Sequence, residues 1–249
     1  MKKLFSISLL LIFLTAASFL GIANGGGFDN GGSFDNGSSF ANGGFAMESR
    51  VWETAADTVA KKREVYLTFD DGPCRLTQEV LCIIRRYGVK ATFFVVGNMV
   101  EKHPDIIKEI YEGGHTIGLH CYNHDYKMIY KDAASLSTDI ISCRNAVEKI
   151  LPNYQAKYYR FPGGSFGLPA EYLDAVAALG LEYKDWNAVN GDTEKNNHTT
   201  SAAVQCAIDS AAGRNRVIIL MHDNKSLTAA SLPQIIEYFI ANGYVFKSF

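Results

Sequence analysis

Two carboxylates stand side by side where an apolar run ends: Val65 to Phe69 leads directly into Asp70 and Asp71, and the turn pair Gly72-Pro73 follows. A strand that closes on acidic residues presents them at its carboxyl end, where sheets built of strand-helix-strand units place their ligand sites. Two like charges held there imply a nearby cation. One carboxylate can ligate it while the other, beside a water, serves as general base. An Asx turn before Gly-Pro accounts for a single aspartate but poorly for two beside an apolar strand.

Other reactive side chains follow in order. His120-Cys121-Tyr122-Asn123-His124 places two imidazoles at i and i+4. On a helix this spacing belongs to zinc proteases, but the glutamate they need at the second position is Cys121, which excludes that chemistry. In a loop leaving a strand, two histidines and one aspartate make a three-ligand zinc site with a position open for water. His222 directly follows the run Val217 to Met221, and an imidazole there is suited to protonating a leaving group near neutral pH. Arg160 opens Arg160-Phe161-Pro162-Gly163-Gly164 and is either a surface charge or a fixed cation paired with a site carboxylate. The rigid proline and permissive glycines favour a shaped binding loop.

Positioning these groups requires a scaffold, and the chain supplies a regular one. Strand-like runs occur at 65–69, 91–96, 116–120, 158–162, 182–188, 216–221 and 244–248. Between them lie six helix-like stretches stopped by Gly88, Gly113-Gly114, Pro152, Gly180, Gly213 and Asn242-Gly243. Such alternation predicts an α/β fold, a parallel sheet with helical crossovers, either a barrel of about seven strands missing a stave or a doubly wound open sheet. Near-continuous apolar runs such as Val217 to Leu220 agree with strands buried on both faces. The chemistry-bearing residues recur at strand ends: Asp70 and Asp71 after the first, His120 after the third, Arg160 after the fourth, Trp186 and then Asp192 after the fifth, His222 after the sixth.

The N-terminal region reads differently. Residues 1–24, Met-Lys-Lys followed by an apolar stretch, are expected to be a secretory signal cleaved near Ala23, or else an uncleaved membrane anchor. Either places the remainder outside the cytoplasm, secreted or at the cell wall. Residues 25–62 combine a Gly/Asn/Phe-rich low-complexity linker with a short helical lead-in from Glu48, leaving 63–249 as the catalytic domain. A formal net charge of −2, from 24 basic and 26 acidic residues among 249, gives no footprint for nucleic acid. Five cysteines match no zinc or redox spacing; one or two disulfides can form, and Cys82 and Cys206 are expected on buried helix faces.

Over Val65 to Phe249 the chain resembles the polysaccharide deacetylases of carbohydrate esterase family 4. Five blocks in order carry the resemblance: Thr68-Phe69-Asp70-Asp71-Gly72-Pro73, His120 to His124, Arg160 to Gly164, the Trp186 to Asp192 segment, and Leu220-Met221-His222-Asp223. It implies a distorted (β/α) barrel and hydrolysis of N-acetyl groups on a glycan, with peptidoglycan N-acetylglucosamine first and chitin oligomers or an exopolysaccharide next. It further implies one divalent ion on Asp71, His120 and His124, zinc ahead of cobalt, manganese or nickel. Asp70 would be the base, oriented by Arg160, and His222 the acid, tuned by Asp192. Pro162, Gly163, Gly164, Trp186 and Leu220 would form the substrate pocket, the Gly163 N–H stabilising the oxyanion. The partner is then a cell-wall glycan and the protein a monomer, at the membrane only if the N-terminal segment stays uncleaved. Cys121, where the family usually carries Ser or Thr, and Thr193, where it carries an aromatic, depart from the pattern. They motivate one alternative, a glycan-binding protein that has lost catalysis.

Overall fold

Eight strands, all paired in parallel, form one sheet in a computed structural model that describes residues 62–194 and 199–249. The expected signal segment, the linker and the helical lead-in, apart from Lys62, lie outside the described residues. In chain order the elements are β1 (Glu64–Asp70), α1 (Arg75–Arg86), β2 (Thr92–Val96), α2 (Gly97–Lys102), α3 (Pro104–Glu112), β3 (Thr116–Cys121), α4 (Tyr126–Ile129) and α5 (Ala133–Ile150). They continue as β4 (Tyr158–Tyr159), α6 (Ala170–Ala178), β5 (Glu182–Tyr183), β6 (Ala188–Val189), α7 (Thr200–Ala211), β7 (Arg216–His222), α8 (Ser226–Ala241) and β8 (Val245–Lys247). Among the described residues no helix is long and apolar enough to cross a membrane.

The sheet order is β5-β4-β3-β2-β1-β7-β6, and β8 pairs with the first half of β1. The run 182–188, expected as one strand, is two: β5 pairs with β4 on one edge and β6 with β7 on the other. Only residues 184–187 connect them, so the two edges lie no more than about 18 Å apart along an extended chain. This is the distorted (β/α) barrel, closed at its seam by a strap of chain rather than by a ladder. The strap is pinned to both sides. The Asn187 side chain accepts from the Ile218 N–H (2.8 Å) and donates to the Arg216 carbonyl (3.0 Å), and the Lys184 carbonyl accepts from Arg160 Nε (2.8 Å).

Strand alternation sorts the side chains into two sets. Val65, Leu67, Phe69, Val217, Ile219 and Met221 are buried in the core beneath the helices. Tyr66, Thr68 and Asp70 take the opposite face, where Tyr66 stacks on Phe249 (4.8 Å between centroids) and Thr68 meets Arg160. The same alternation puts Gly118 and His120 of β3 on the inside and Cys121 outside, in the apolar core. Gly118 leaves the room that the Phe94 ring fills: a Cβ there would lie 2.5 Å from that ring.

The helices bury single stripes. In α1 Thr77, Val80, Leu81 and Ile84 face the core, a period of three to four residues. Cys82 falls off this stripe and is exposed, and Cys206 is half-buried, so the expected burial of these two thiols is incorrect. The buried cysteines are Cys121 and Cys143, and all five are free. Helix α5 is capped by the Asp132 carboxylate, which accepts from the Ser135 N–H at 2.7 Å.

Candidate active site

Four strand ends converge at one rim. Asp70 is the last residue of β1, and its carboxylate is almost fully buried. Arg160, just past β4 and wholly buried, donates through Nη1 to Asp70 Oδ1 at 2.8 Å and to Thr68 Oγ1 at 2.7 Å. Its guanidinium also lies over the Phe94 ring at 4.1 Å. A planar, always-charged group clamped on these sides gives Asp70 one orientation. Arg160 is therefore an internal cation rather than a surface charge.

Asp71 turns the chain away from the strand with φ of 75°, and His124 has φ of 57°. Left-handed backbone in non-glycine residues costs of order 1–3 kcal/mol and persists where the surroundings impose it. The imposition at Asp71 is visible next door. A Cβ on Gly72 would sit 2.1 Å from the Asp223 carboxylate, which is itself buried and held by Thr77 Oγ1 at 2.7 Å. Burial and the nearby charges of Asp71 and Asp70 raise the Asp223 pKa to about 7 against the Thr77 hydrogen bond.

The Asp71 carboxylate faces both imidazoles, with Oδ1 3.6 Å from His120 Nε2 and 3.3 Å from His124 Nε2. His120 Nδ1 lies 2.8 Å from the Arg160 carbonyl, so Nδ1 carries the proton and Nε2 presents a lone pair. Burial holds the His120 pKa down, against the pull of Asp70 and Asp71, and so favours the neutral, ligating form. Asp71 Oδ1 is buried and accepts no hydrogen bond. Lone pairs converging without a proton between them suit a cation. Ligand atoms about 2.1 Å from one ion lie about 3.4 Å apart at tetrahedral angles, which agrees with the two separations observed. Asn224 supports the set by donating to Asp71 Oδ2 at 3.4 Å.

His222 closes β7. Its Nδ1 lies 2.8 Å from Asp192 Oδ1 and its backbone N–H donates to Asp192 Oδ2 at 2.7 Å. Burial lowers the His222 pKa, but the Asp192 hydrogen bond and the charges of Asp192, Asp70 and Asp71 outweigh it, and the net shift is upward. For Asp192 the balance runs the other way: burial raises its pKa, and His222 and Thr228 carry it below the ordinary value. Behind it, Asn190 Nδ2 donates to Thr228 Oγ1 (3.1 Å), and the Thr228 hydroxyl donates to Asp192 Oδ2 (2.5 Å). Trp186, Leu220, Asp192 and His222 line a pocket of about 190 Å³, with Thr193 in its wall where an aromatic was expected. Pro162 is buried, its carbonyl accepting from Tyr130 (2.7 Å), and among the described residues no acceptor meets the Gly163 N–H.

Residues 57–184 match the family pattern described as polysaccharide deacetylase. The chain belongs to the polysaccharide deacetylase family. A peptidoglycan-N-acetylglucosamine deacetylase of Bacillus cereus is 31% identical over 194 residues, 76% of this chain and 70% of that protein. Among solved structures, the catalytic domain of peptidoglycan N-acetylglucosamine deacetylase from Eubacterium rectale aligns with a TM-score of 0.70 at 33% identity, covering 75% of this chain and 88% of that one. A Streptococcus mutans CE4 esterase aligns with a TM-score of 0.71 at 31% identity, over 75% and 86%. Within this family of hydrolases, the Cys121 departure falls away from the site. Its side chain joins the helix-side core, on the face of β3 opposite His120.

The structure brings Asp70, Asp71, His120, His124, Arg160, Asp192 and His222 to one rim, and it adds Thr68, Asn190, Asn224 and Thr228, none of them among the expected site residues. Thr68 alone carried a signal, since inward alternation from Asp70 reaches it two residues earlier. The other three make contacts that no spacing foretells.

Proposed function

We propose that the protein is an exported, metal-dependent deacetylase that hydrolyses N-acetyl groups of peptidoglycan, at N-acetylglucosamine. The carrying observation is the convergence of Asp71, His120 and His124 within 4.8 Å of one another, beside the Asp70–Arg160 and His222–Asp192 pairs. The names of the relatives support the substrate. A divalent ion held by Asp71, His120 and His124, zinc by its donor set, would polarise the acetyl carbonyl and acidify water.

The remaining work falls to side chains. Asp70, fixed by Arg160, takes the proton from the attacking water. The unpaired Gly163 N–H donates to the oxygen as charge develops on it. His222, kept protonated by Asp192, transfers its proton from Nε2 to the departing nitrogen, while its Nδ1–H stays on the ring and goes on donating to the Asp192 carboxylate. Leu220 and Trp186 enclose the acetyl methyl.

Purified protein supplied with zinc and peptidoglycan should release acetate. Asp70→Asn should keep the metal and lose turnover by about 10²-fold or more, whereas Asp71→Asn should lower metal affinity. Because asparagine tolerates left-handed backbone, that second variant tests the ligand and not the turn. Undiminished acetate release by Asp70→Asn would overturn the assignment of the base. Comparing acetate release from chitin oligomers and from peptidoglycan decides the substrate.

A further inference from the structure

Phe166 is 65% exposed, although a phenylalanine gains by leaving water. Its position is built rather than loose. The ring packs edge-on against Trp186, with centroids 5.5 Å apart and planes at 82°. Gly164, at φ of 85°, makes room for both: a Cβ there would lie 2.6 Å from the Phe166 ring and 3.1 Å from Trp186. One residue on, Ser165 ties the two segments together. Its N–H donates to Asp185 Oδ1 at 3.0 Å and its hydroxyl to Asp185 Oδ2. Asp185 immediately precedes Trp186, so the loop carrying Phe166 and the strap carrying Trp186 are held as one unit.

Trp186 reaches inward to the pocket shared with Leu220 and His222, so its partner Phe166 stands next to that pocket's mouth. On the other side of the double glycine, a Cβ at Gly163 would lie 3.4 Å from Tyr126, which is 48% exposed and packs edge-on against His124 at 5.4 Å. Exposed aromatic rings thus flank the backbone of Gly163 and Gly164. Such rings present flat apolar surface of fixed orientation, and the C–H face of a pyranose is the saccharide surface that fits it.

We propose that Phe166, buttressed by Trp186, is a carbohydrate-stacking subsite that receives the pyranose ring adjacent to the one being deacetylated. This rests on the deacetylase reading above for the identity of the ligand. It makes the enzyme favour oligomers over short substrates, because a second ring is needed to occupy the platform.

The test uses β-1,4-linked N-acetylglucosamine dimer and tetramer with the full-length protein and its Phe166→Ala and Phe166→Tyr variants. The alanine variant should raise KM for the tetramer roughly tenfold, the effect of about 1.4 kcal/mol, and shift kcat far less. Its preference for tetramer over dimer should fall, and the tyrosine variant should restore both. Calorimetric binding of the tetramer to Asp70→Asn, with and without Phe166→Ala, gives the same comparison without turnover. Unchanged KM and affinity in the alanine variant overturn the proposal, as does a changed oligomeric state with glycan affinity intact. Absence of acetate release from every glycan, with tetramer binding still weakened by Phe166→Ala, leaves the platform standing and removes the deacetylase reading instead.

Discussion

His222 sits between opposing pulls, and its partners decide the outcome. Burial alone would leave it neutral; Asp192, with Asp70 and Asp71, carries its pKa upward. An acid must be protonated to act, so activity is lost as pH rises through this raised value, above the ordinary 6.5 of imidazole. The same coupling stabilises the fold below the ordinary imidazole pKa and is lost as pH rises through the raised one. Asp192→Asn should therefore move the alkaline limb of the kcat/KM profile to lower pH, read from acetate release between about pH 5 and 9. A limb left in place would separate Asp192 from the titration of His222. Asp192 itself could be read from the chain because it follows the fifth strand-like run and closes the Trp186 to Asp192 block that carries the family resemblance. Thr228 could not: it begins a helix with no motif around it, and its hydroxyl acquires meaning only when α8 folds back against the loop after β6.

The strands act as a ruler. Two residues separate successive inward-facing side chains, so Thr68 and Asp70 share a face, and Arg160 meets both. Phe94 completes this support from β2, in the space Gly118 leaves on β3. A methyl at Gly118 would lie 2.5 Å from a wholly buried ring and 3.3 Å from the Tyr158 carbonyl oxygen, so the ring or the backbone must shift. Gly118→Ala should cost about 1–3 kcal/mol and, at about 2–4 °C per kcal/mol for a domain of this size, lower Tm by several degrees. It should also depress turnover through the Phe94–Arg160–Asp70 chain; a stable, fully active variant would show that Phe94 does not set Arg160. The run of strands and helices was readable from apolar periodicity and glycine stops. The division of 182–188 was not, because Glu182-Tyr183 and Ala188-Val189 find partners on opposite edges, and pairing is a property of distant chain.

At the scale of the molecule, closure depends on the strap from Lys184 to Asn187. Asn187 substitutes for missing ladder bonds by pairing its amide with two backbone groups of β7. Asn187→Ala removes both, leaves a strand-side N–H and C=O to find water, and should cost about 1–3 kcal/mol. Hydrogen exchange should quicken at Ile218 in that variant, and unchanged protection there would show that the strap is held by other contacts. Short edge strands carry a different consequence. An open sheet ordinarily exposes a row of unpaired groups on which another chain can add as an extra strand. Here each terminal strand is two residues long and faces the other across the seam, so an incoming chain finds too few consecutive groups to register on. The protein keeps its barrel incomplete without acquiring a template for aggregation.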